Sequence, residues 1–253
     1  MLTVPDSTVI SVGHVTKFFH LSDGNGLQEQ VFKWLLRRPT TSRTHRALHD
    51  ISFSVAAGEA VAIVGRNGSG KSTLLKLLAG IIEPSEGEIC VSGRICTMLG
   101  QGAGFYGDLT GRENVKLKAS LLGLSDRQVK ERFDEIVDFA ELRDFIDTPV
   151  KRYSSGMAAR LSFAVAIHSD PDILLADEVL AVGDADFREK CVARMKQLRT
   201  EGVTILMASH NMNLVRQFCD RAILLREGCL VCSGEPKEVI EMHTQNAVVT
   251  KVS

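Results

Sequence analysis

At 253 residues and 44% hydrophobic content, the chain suits one α/β domain with a full core, or a core carrying a subdomain, and is short for two independent domains. Its 30 basic and 31 acidic residues leave a net charge of -1, which excludes a global attraction to nucleic acid or to an anionic surface, so any basic contact must be local. No uninterrupted apolar run of about 18 residues occurs, so no segment is predicted to span a bilayer; six scattered cysteines without a secretory leader predict a reducing cytoplasm.

In chain order, residues 8–19 alternate as a strand and end in two aromatics, Phe18 and Phe19. A turn-rich stretch, Ser22 to Gly26, opens a different segment. There Leu27, Val31, Trp34 and Leu35 have the spacing of one helical face, while Lys33, Arg37, Arg38, Arg43 and Arg46 follow with no acid among them. A short basic amphipathic helix with the chain's one tryptophan reads as a surface that touches a membrane interface or an integral partner, or else as a helix packed on its own domain with a solvated basic face.

Two strands follow, Leu48 to Val55 and Glu59 to Val64, then a helix with Leu74, Leu75, Leu77 and Leu78. Residues 80–93 alternate turn residues with short strands. From 100 to 153 the pattern is helical, with a capping box at Ser125 and Gln128 and one apolar face of Val129, Phe133, Ile136, Val137 and Ala140. After Pro149 the pattern predicts a helix at 155–167, a buried strand at 173–178, a helix at 187–199, a strand at 203–209 and a helix at 211–219. A hairpin turning at Arg226-Glu227-Gly228 and a last short helix from Pro236 to about His243 complete the chain. Cys229 and Cys232 sit inside a strand-like run with no second ligand pair nearby, which reads as thiols rather than a zinc site.

The chemistry concentrates in Gly65-Arg66-Asn67-Gly68-Ser69-Gly70-Lys71-Ser72, which fits the phosphate-loop pattern of Gly, four residues, Gly, Lys and Ser/Thr, with a strand before it and a helix after it. The glycines let backbone N–H groups point at phosphate oxygens, and the following helix adds the positive end of its dipole. Lys71 is placed to reach the β- and γ-phosphates, and Ser72 offers a hydroxyl to Mg²⁺, so the chain is predicted to bind a nucleoside triphosphate. An apolar strand ending in Asp177-Glu178 supplies one carboxylate for the metal and a second that can polarise an attacking water. A strand ending in Ser209-His210 adds a polar group for the γ-phosphate, and Tyr153-Ser154-Ser155-Gly156-Met157 opens a helix where backbone N–H groups can meet a phosphate.

These motifs, in this order, resemble those of ABC-transporter ATPases over nearly the whole chain. Tyr153 to Met157 is similar to that family's LSGGQ signature, with Tyr153 at its start and Met157 in place of its glutamine; Val179 replaces the proline that often follows the catalytic glutamate. The resemblance implies a RecA-like P-loop NTPase core with an antiparallel β subdomain and an inserted helical subdomain. It divides the single domain of 1–253 into an ATP-binding core with the β subdomain (1–99 and 154–235), a basic amphipathic insertion (20–46), a helical subdomain (100–153) and a C-terminal helix with its tail (236–253). It further implies a head-to-tail homodimer in which the phosphate loop of one copy faces the signature of the other across ATP.

By the same resemblance, Gly65, Asn67, Gly68, Ser69, Gly70, Lys71, Ser72 and Thr73 hold phosphates, and Phe19 stacks on adenine. Ser72, Gln101 and Asp177 arrange Mg²⁺, Glu178 is the general base, and His210 contacts the γ-phosphate. Ser154, Ser155 and Gly156 bind the nucleotide of the opposite copy, and Asp184 is the aspartate of the loop after the base. The phosphate-loop lysine Lys71, with Glu178 and His210, makes up the implied catalytic set. The segments around Gln101, Tyr153 and Glu178, with the basic insertion, are similar to those of ATPases that export bacterial polysaccharides of O-antigen, capsule or teichoic-acid type. That resemblance implies a peripheral subunit at the cytoplasmic face of the inner membrane, two integral permease subunits, a lipid-linked polysaccharide as cargo, membrane-interface contact by residues 27–46 and no nucleic acid partner. Some members carry a carbohydrate-binding domain after about this length, so such a domain is expected to be absent or removed. The alternatives are an ABC ATPase of a different transporter, or a soluble one acting on ribosomes or DNA.

Overall fold

The structure, a computed structural model, describes residues 7–21, 43–98, 104–177 and 184–249. Gln101, Glu178 and the predicted basic helix around Trp34 lie outside the described residues. Strand β1 (Thr8–Leu21) pairs antiparallel with β2 (Arg43–Ala56) and β4 (Glu86–Val91), giving a three-stranded sheet in the order β2-β1-β4. The sequence pattern ends the first strand at residue 19 and starts the second at 48, whereas Phe18 pairs with Arg46, Phe19 with His45 and Leu21 with Arg43. Cross-strand contact accounts for the longer arms: the Arg46 guanidinium lies 4.9 Å from the centre of the Phe18 ring, a pairing that alternation along one strand does not reveal.

The second sheet has six strands in the order β5 (Ile95–Met98), β6 (Ile173–Asp177), β7 (Thr204–Ala208), β3 (Ala60–Val64), β8 (Arg221–Arg226) and β9 (Cys229–Gly234). The first five run parallel and β9 returns antiparallel from β8. The turn between them is Glu227-Gly228, both with positive φ (49° and 77°), the geometry that two-residue hairpins favour.

Both faces of the parallel strands are covered, which is why β3, β6 and β7 read as unbroken apolar runs. Ala60, Ala62 and Val64 face a core containing Phe163, Phe187, Met195, Phe218 and Val239, carried by helices α4 (Ser155–Ile167), α5 (Ala185–Thr200), α6 (Met212–Phe218) and α7 (Pro236–Val249). The alternate residues Val61 and Ile63 face a core built from Leu74, Leu75 and Leu78 of α1 (Lys71–Leu78) and from Ile10, Val12 and Ile51 of the three-stranded sheet.

Between β5 and α4 lie α2 (Gly111–Leu121) and α3 (Asp126–Ala140), each opened by a capping box, Thr110 with Glu113 and Ser125 with Gln128. Their core joins Val115, Ala119, Ile136 and Val137 to Leu161, Ala164 and Val165 of α4. Helix α4 is therefore buried on two sides, Phe163 and Ile167 in the main core and Leu161 and Val165 in the helical subdomain, which matches the unbroken apolar run Phe163 to Ile167 in its second half. Its residues belong to both cores. Helix α7 runs to Val249, past the predicted end near His243, because Val239 and Ile240 anchor its first turns in the main core.

Candidate functional site

The fully buried β3 leads straight into the phosphate loop, whose path depends on two glycines that admit no side chain. A Cβ at Gly65 would lie 2.3 Å from the Leu225 carbonyl oxygen and 2.5 Å from Ser69 Oγ. At Gly70, φ is 104° and a Cβ would sit 2.6 Å from Leu48 Cδ2 and 2.9 Å from the Ala47 carbonyl oxygen. Gly70 is also the N-cap of α1 and offers no side-chain acceptor, so no capping side chain competes with a ligand at the start of that helix. The β8–β9 turn braces the loop from below: Gly228 N–H donates to the Ser69 carbonyl at 3.1 Å, and His49 N–H donates to the Gly228 carbonyl at 2.8 Å.

Lys71 is 6% exposed, and its ammonium donates to the carbonyls of Gly65 at 2.9 Å and Arg66 at 3.1 Å. The lysine is thus held over its own loop. Ser69 Oγ is buried with no hydrogen-bond partner among the described residues, a polar atom inside the cradle whose satisfaction calls for a ligand. Beside the loop opens a cleft of about 480 Å³ lined by Phe19, His45, Ala47, Asn67, Gly68, Gly70, Lys71, Ser72 and Thr73. Phe19 stands at its rim, 36% exposed, with the Lys17 ammonium 5.3 Å from its ring centre. Its cross-strand neighbour His45, which no motif singles out, lines the same cleft.

The other motif residues meet the loop along one edge of the sheet. Asp177 ends β6, and its register partner Ala208 ends β7 and leads into Ser209 and His210; β7 in turn pairs with β3, which feeds the loop. In a parallel sheet that carboxyl edge is where ligands bind. Ser209 is buried and its N–H donates to the Ile63 carbonyl at 3.4 Å, fastening this edge to β3, while His210 is exposed. Among the described residues no group of three or more His, Cys, Asp and Glu could hold a metal ion. Among the described residues, the Ser72 hydroxyl in the cleft lining and the Asp177 carboxylate at the end of β6 are hard oxygen donors of the kind that suits Mg²⁺ shared with substrate phosphates.

Ser154 is the N-cap of α4, its Oγ accepting from Met157 N–H at 3.1 Å, and Ser155 is the first helical residue. None of Ser154, Ser155 and Gly156 is among the residues lining the cleft of their own chain. Asp184 caps α5, accepting from Phe187 N–H at 3.0 Å, and that hydrogen bond, with Arg160 nearby, holds its carboxyl below the usual carboxylate range.

Residues 48–181 match the family described as ABC transporter. The chain belongs to that family. It is 46% identical over 244 residues to the O-antigen export system ATP-binding protein RfbB of Klebsiella pneumoniae, an alignment covering 94% of this chain and 98% of the relative. It is 39% identical over 231 residues to the teichoic acids export ATP-binding protein TagH of Lactococcus lactis, covering 91% of this chain and 49% of that longer protein. In fold it is similar to the dimeric structure of a bacterial ABC transporter cassette, with a TM-score of 0.72 at 25% identity over 90% of this chain and 98% of the other.

As an ABC ATP-binding cassette the chain binds ATP, and the cleft between Phe19 and Thr73 is of a shape and chemistry to take it. His243, on α7, has its imidazole pKa lowered, first by burial and then by Lys71 and the other basic side chains near it. The C-terminal helix therefore reaches the field of the phosphate site. Its only sequence signal is an imidazole one turn beyond the buried Val239-Ile240 pair.

Proposed function

We propose that this chain is the ATP-hydrolysing subunit of a bacterial ABC exporter that moves a lipid-linked polysaccharide, of O-antigen or teichoic-acid type, across the inner membrane through separate integral permease subunits. The observation that carries the ATPase half is the glycine cradle around Lys71 on the same sheet edge as Asp177 and His210. The cargo half is supported by likeness to an O-antigen export subunit over 94% of the chain. No helix among the described residues is long and apolar enough to cross a membrane, which fits a subunit that works from the cytoplasmic face beside a membrane-embedded partner.

Two copies close head to tail, with the N-terminal turn of α4 in one, Ser154 to Gly156, set against the nucleotide held by Lys71 in the other. This arrangement offers the Ser155 and Gly156 amides at the start of α4 to a neighbour's phosphate and accounts for the absence of those residues from their own cleft. Phe19 stacks on the base, and the loop amides with Lys71 hold the phosphates. Ser72, Asp177 and Gln101 would hold Mg²⁺, which when bound would supply neutralisation of charge on the phosphoryl oxygens. Glu178 accepts a proton from the attacking water as its oxygen bonds to the γ-phosphorus and the bond to the ADP oxygen breaks, while His210 orients the γ-phosphate.

The test is Glu178→Gln. The variant is expected to bind ATP as the parent does, to lose at least about 100-fold in turnover, and to elute as a stable dimer in ATP. Turnover equal to the parent's removes Glu178 from the base role; a cytosolic complex with nucleic acid, rather than copurification with an integral membrane protein, removes the exporter reading.

A further inference from the structure

Arg160 lies on α4, one turn beyond the residues assigned to the neighbouring copy's nucleotide, and its side chain is 19% exposed. Its guanidinium makes three contacts across two neighbouring helices, the end of α3 and the start of α5. Nη1 donates to Glu141 Oε2 at 2.8 Å, Nη2 donates to Asp184 Oδ2 at 2.5 Å, and the group lies 4.7 Å from the centre of the Phe187 ring. Glu141 is the left-handed C-cap of α3, and Asp184 is the N-cap of α5. A second cation from α5, Lys190, closes the ring by donating to Glu141 at 3.3 Å and to the Phe139 carbonyl at 3.1 Å.

Energetics separates two uses of such a clasp. The carboxylates are half-exposed, 50% for Glu141 and 63% for Asp184, and ion pairs of that kind add little to stability. A planar fork satisfied on two sides while resting on an aromatic face nevertheless fixes direction, which a single ammonium cannot do. Beneath it Phe187 is 1% exposed and meets Phe139 edge-on at 5.7 Å and Phe163 at 6.3 Å, so the cation sits on a packed floor.

The geometry points to Arg160 as a positioning residue that locks the start of α4 to Asp184 and to the end of α3, so that contact of α4 with the other copy's nucleotide moves Asp184 of its own copy. This rests on the reading above, in which two copies close over ATP. Nucleotide binding by the single chain does not pass through the clasp, because neither Arg160 nor Glu141 lines the cleft. The step that does pass through it is hydrolysis in the closed pair.

The experiment compares parent, Arg160→Ala, Arg160→Lys, Glu141→Gln and the Arg160→Ala/Glu141→Gln pair in the full chain. It measures ATP affinity, kcat and KM for hydrolysis, ATP-driven dimerisation and the thermal midpoint. Arg160→Ala is expected to keep ATP affinity and KM within about twofold of the parent and to lose about tenfold in kcat. Arg160→Lys should recover less than about a third of that loss, since one ammonium does not bridge both acids. Glu141→Gln should lose about threefold, and the pair should match Arg160→Ala alone, because both act through one clasp. Should Arg160→Ala not fold, Glu141→Gln decides: an unchanged kcat overturns the proposal. It is equally overturned if Arg160→Ala turns over like the parent, or if its deficit vanishes on cooling by as much as its midpoint has dropped. A parent that neither hydrolyses ATP nor dimerises on binding it overturns the ATPase reading and this proposal together; a parent that does both while the variants match it overturns this proposal alone.

Discussion

Replacing Lys118 with Met tests whether the helical subdomain carries a buried charge at a net cost. Lys118 is on α2, 9% exposed; its ammonium donates to Ser162 Oγ on α4 and lies 5.1 Å from the centre of the Phe105 ring. Burial pushes its pKa down to about 8 from 10.5. At 1.36 kcal/mol per unit, holding the charged form in the folded state costs about 3 kcal/mol. The polar contacts of the amine, that to Ser162 Oγ among them, are also open to a neutral amine and offset about 1 kcal/mol. A methionine of similar length removes both, so Lys118→Met should be about 2 kcal/mol more stable than the parent below pH 8.

The sign with pH follows from linkage. Between about pH 8 and 10.5 the unfolded parent holds a proton on Lys118 that the folded parent has released, so this residue makes the parent more stable as pH rises. The advantage of the variant should therefore shrink through that window and end at about -1 kcal/mol above it. Cys191 and Cys219, both pushed up to about 12 by burial, act in the opposite direction over part of the same range, because their folded forms keep protons that the unfolded chain loses. Their effect is common to both proteins and cancels in the difference. Urea unfolding of parent and variant at half-unit steps from pH 7 to 11 measures it; a variant less stable than the parent at pH 7, or a difference flat with pH, refutes the reasoning.

Gly70→Ala should abolish ATP binding while leaving most of the fold intact, because a Cβ there meets Leu48 Cδ2 at 2.6 Å in a backbone with φ of 104°; a nucleotide titration within about twofold of the parent's would show that the loop yields. Trp34→Ala with Arg37 and Arg38 neutralised should spare ATP hydrolysis by the isolated chain and reduce export in cells, as expected of an amphipathic surface that meets a membrane or a permease. Unchanged export returns that segment to an ordinary solvated helix.

Much of the fold was legible in local patterns. The continuous apolar runs of β3, β6 and β7, the capping box at Ser125 and the glycine spacing from Gly65 to Gly70 each express a constraint that acts within a few residues. Strand lengths were less legible, since the extension of β1 past residue 19 and of β2 before residue 48 is held by pairs such as Leu21 with Arg43 that are distant in the chain. The same limit applied to the site. The phosphate loop, Asp177 and His210 announce themselves by position after a strand, whereas His45 lines the cleft and His243 enters its field through register and helix packing alone.

The sequence by itself determined that this chain has a phosphate loop, the order of the motifs around it and the family they resemble, because loop and caps depend on residue type at fixed spacing. Only the tertiary structure decided that α4 is shared between two cores, that the cleft is built without Ser154 to Gly156, and that Arg160 joins Glu141 to Asp184. Those facts come from chain crossings and side-chain reach across 19 and 24 residues of sequence, which no periodicity records.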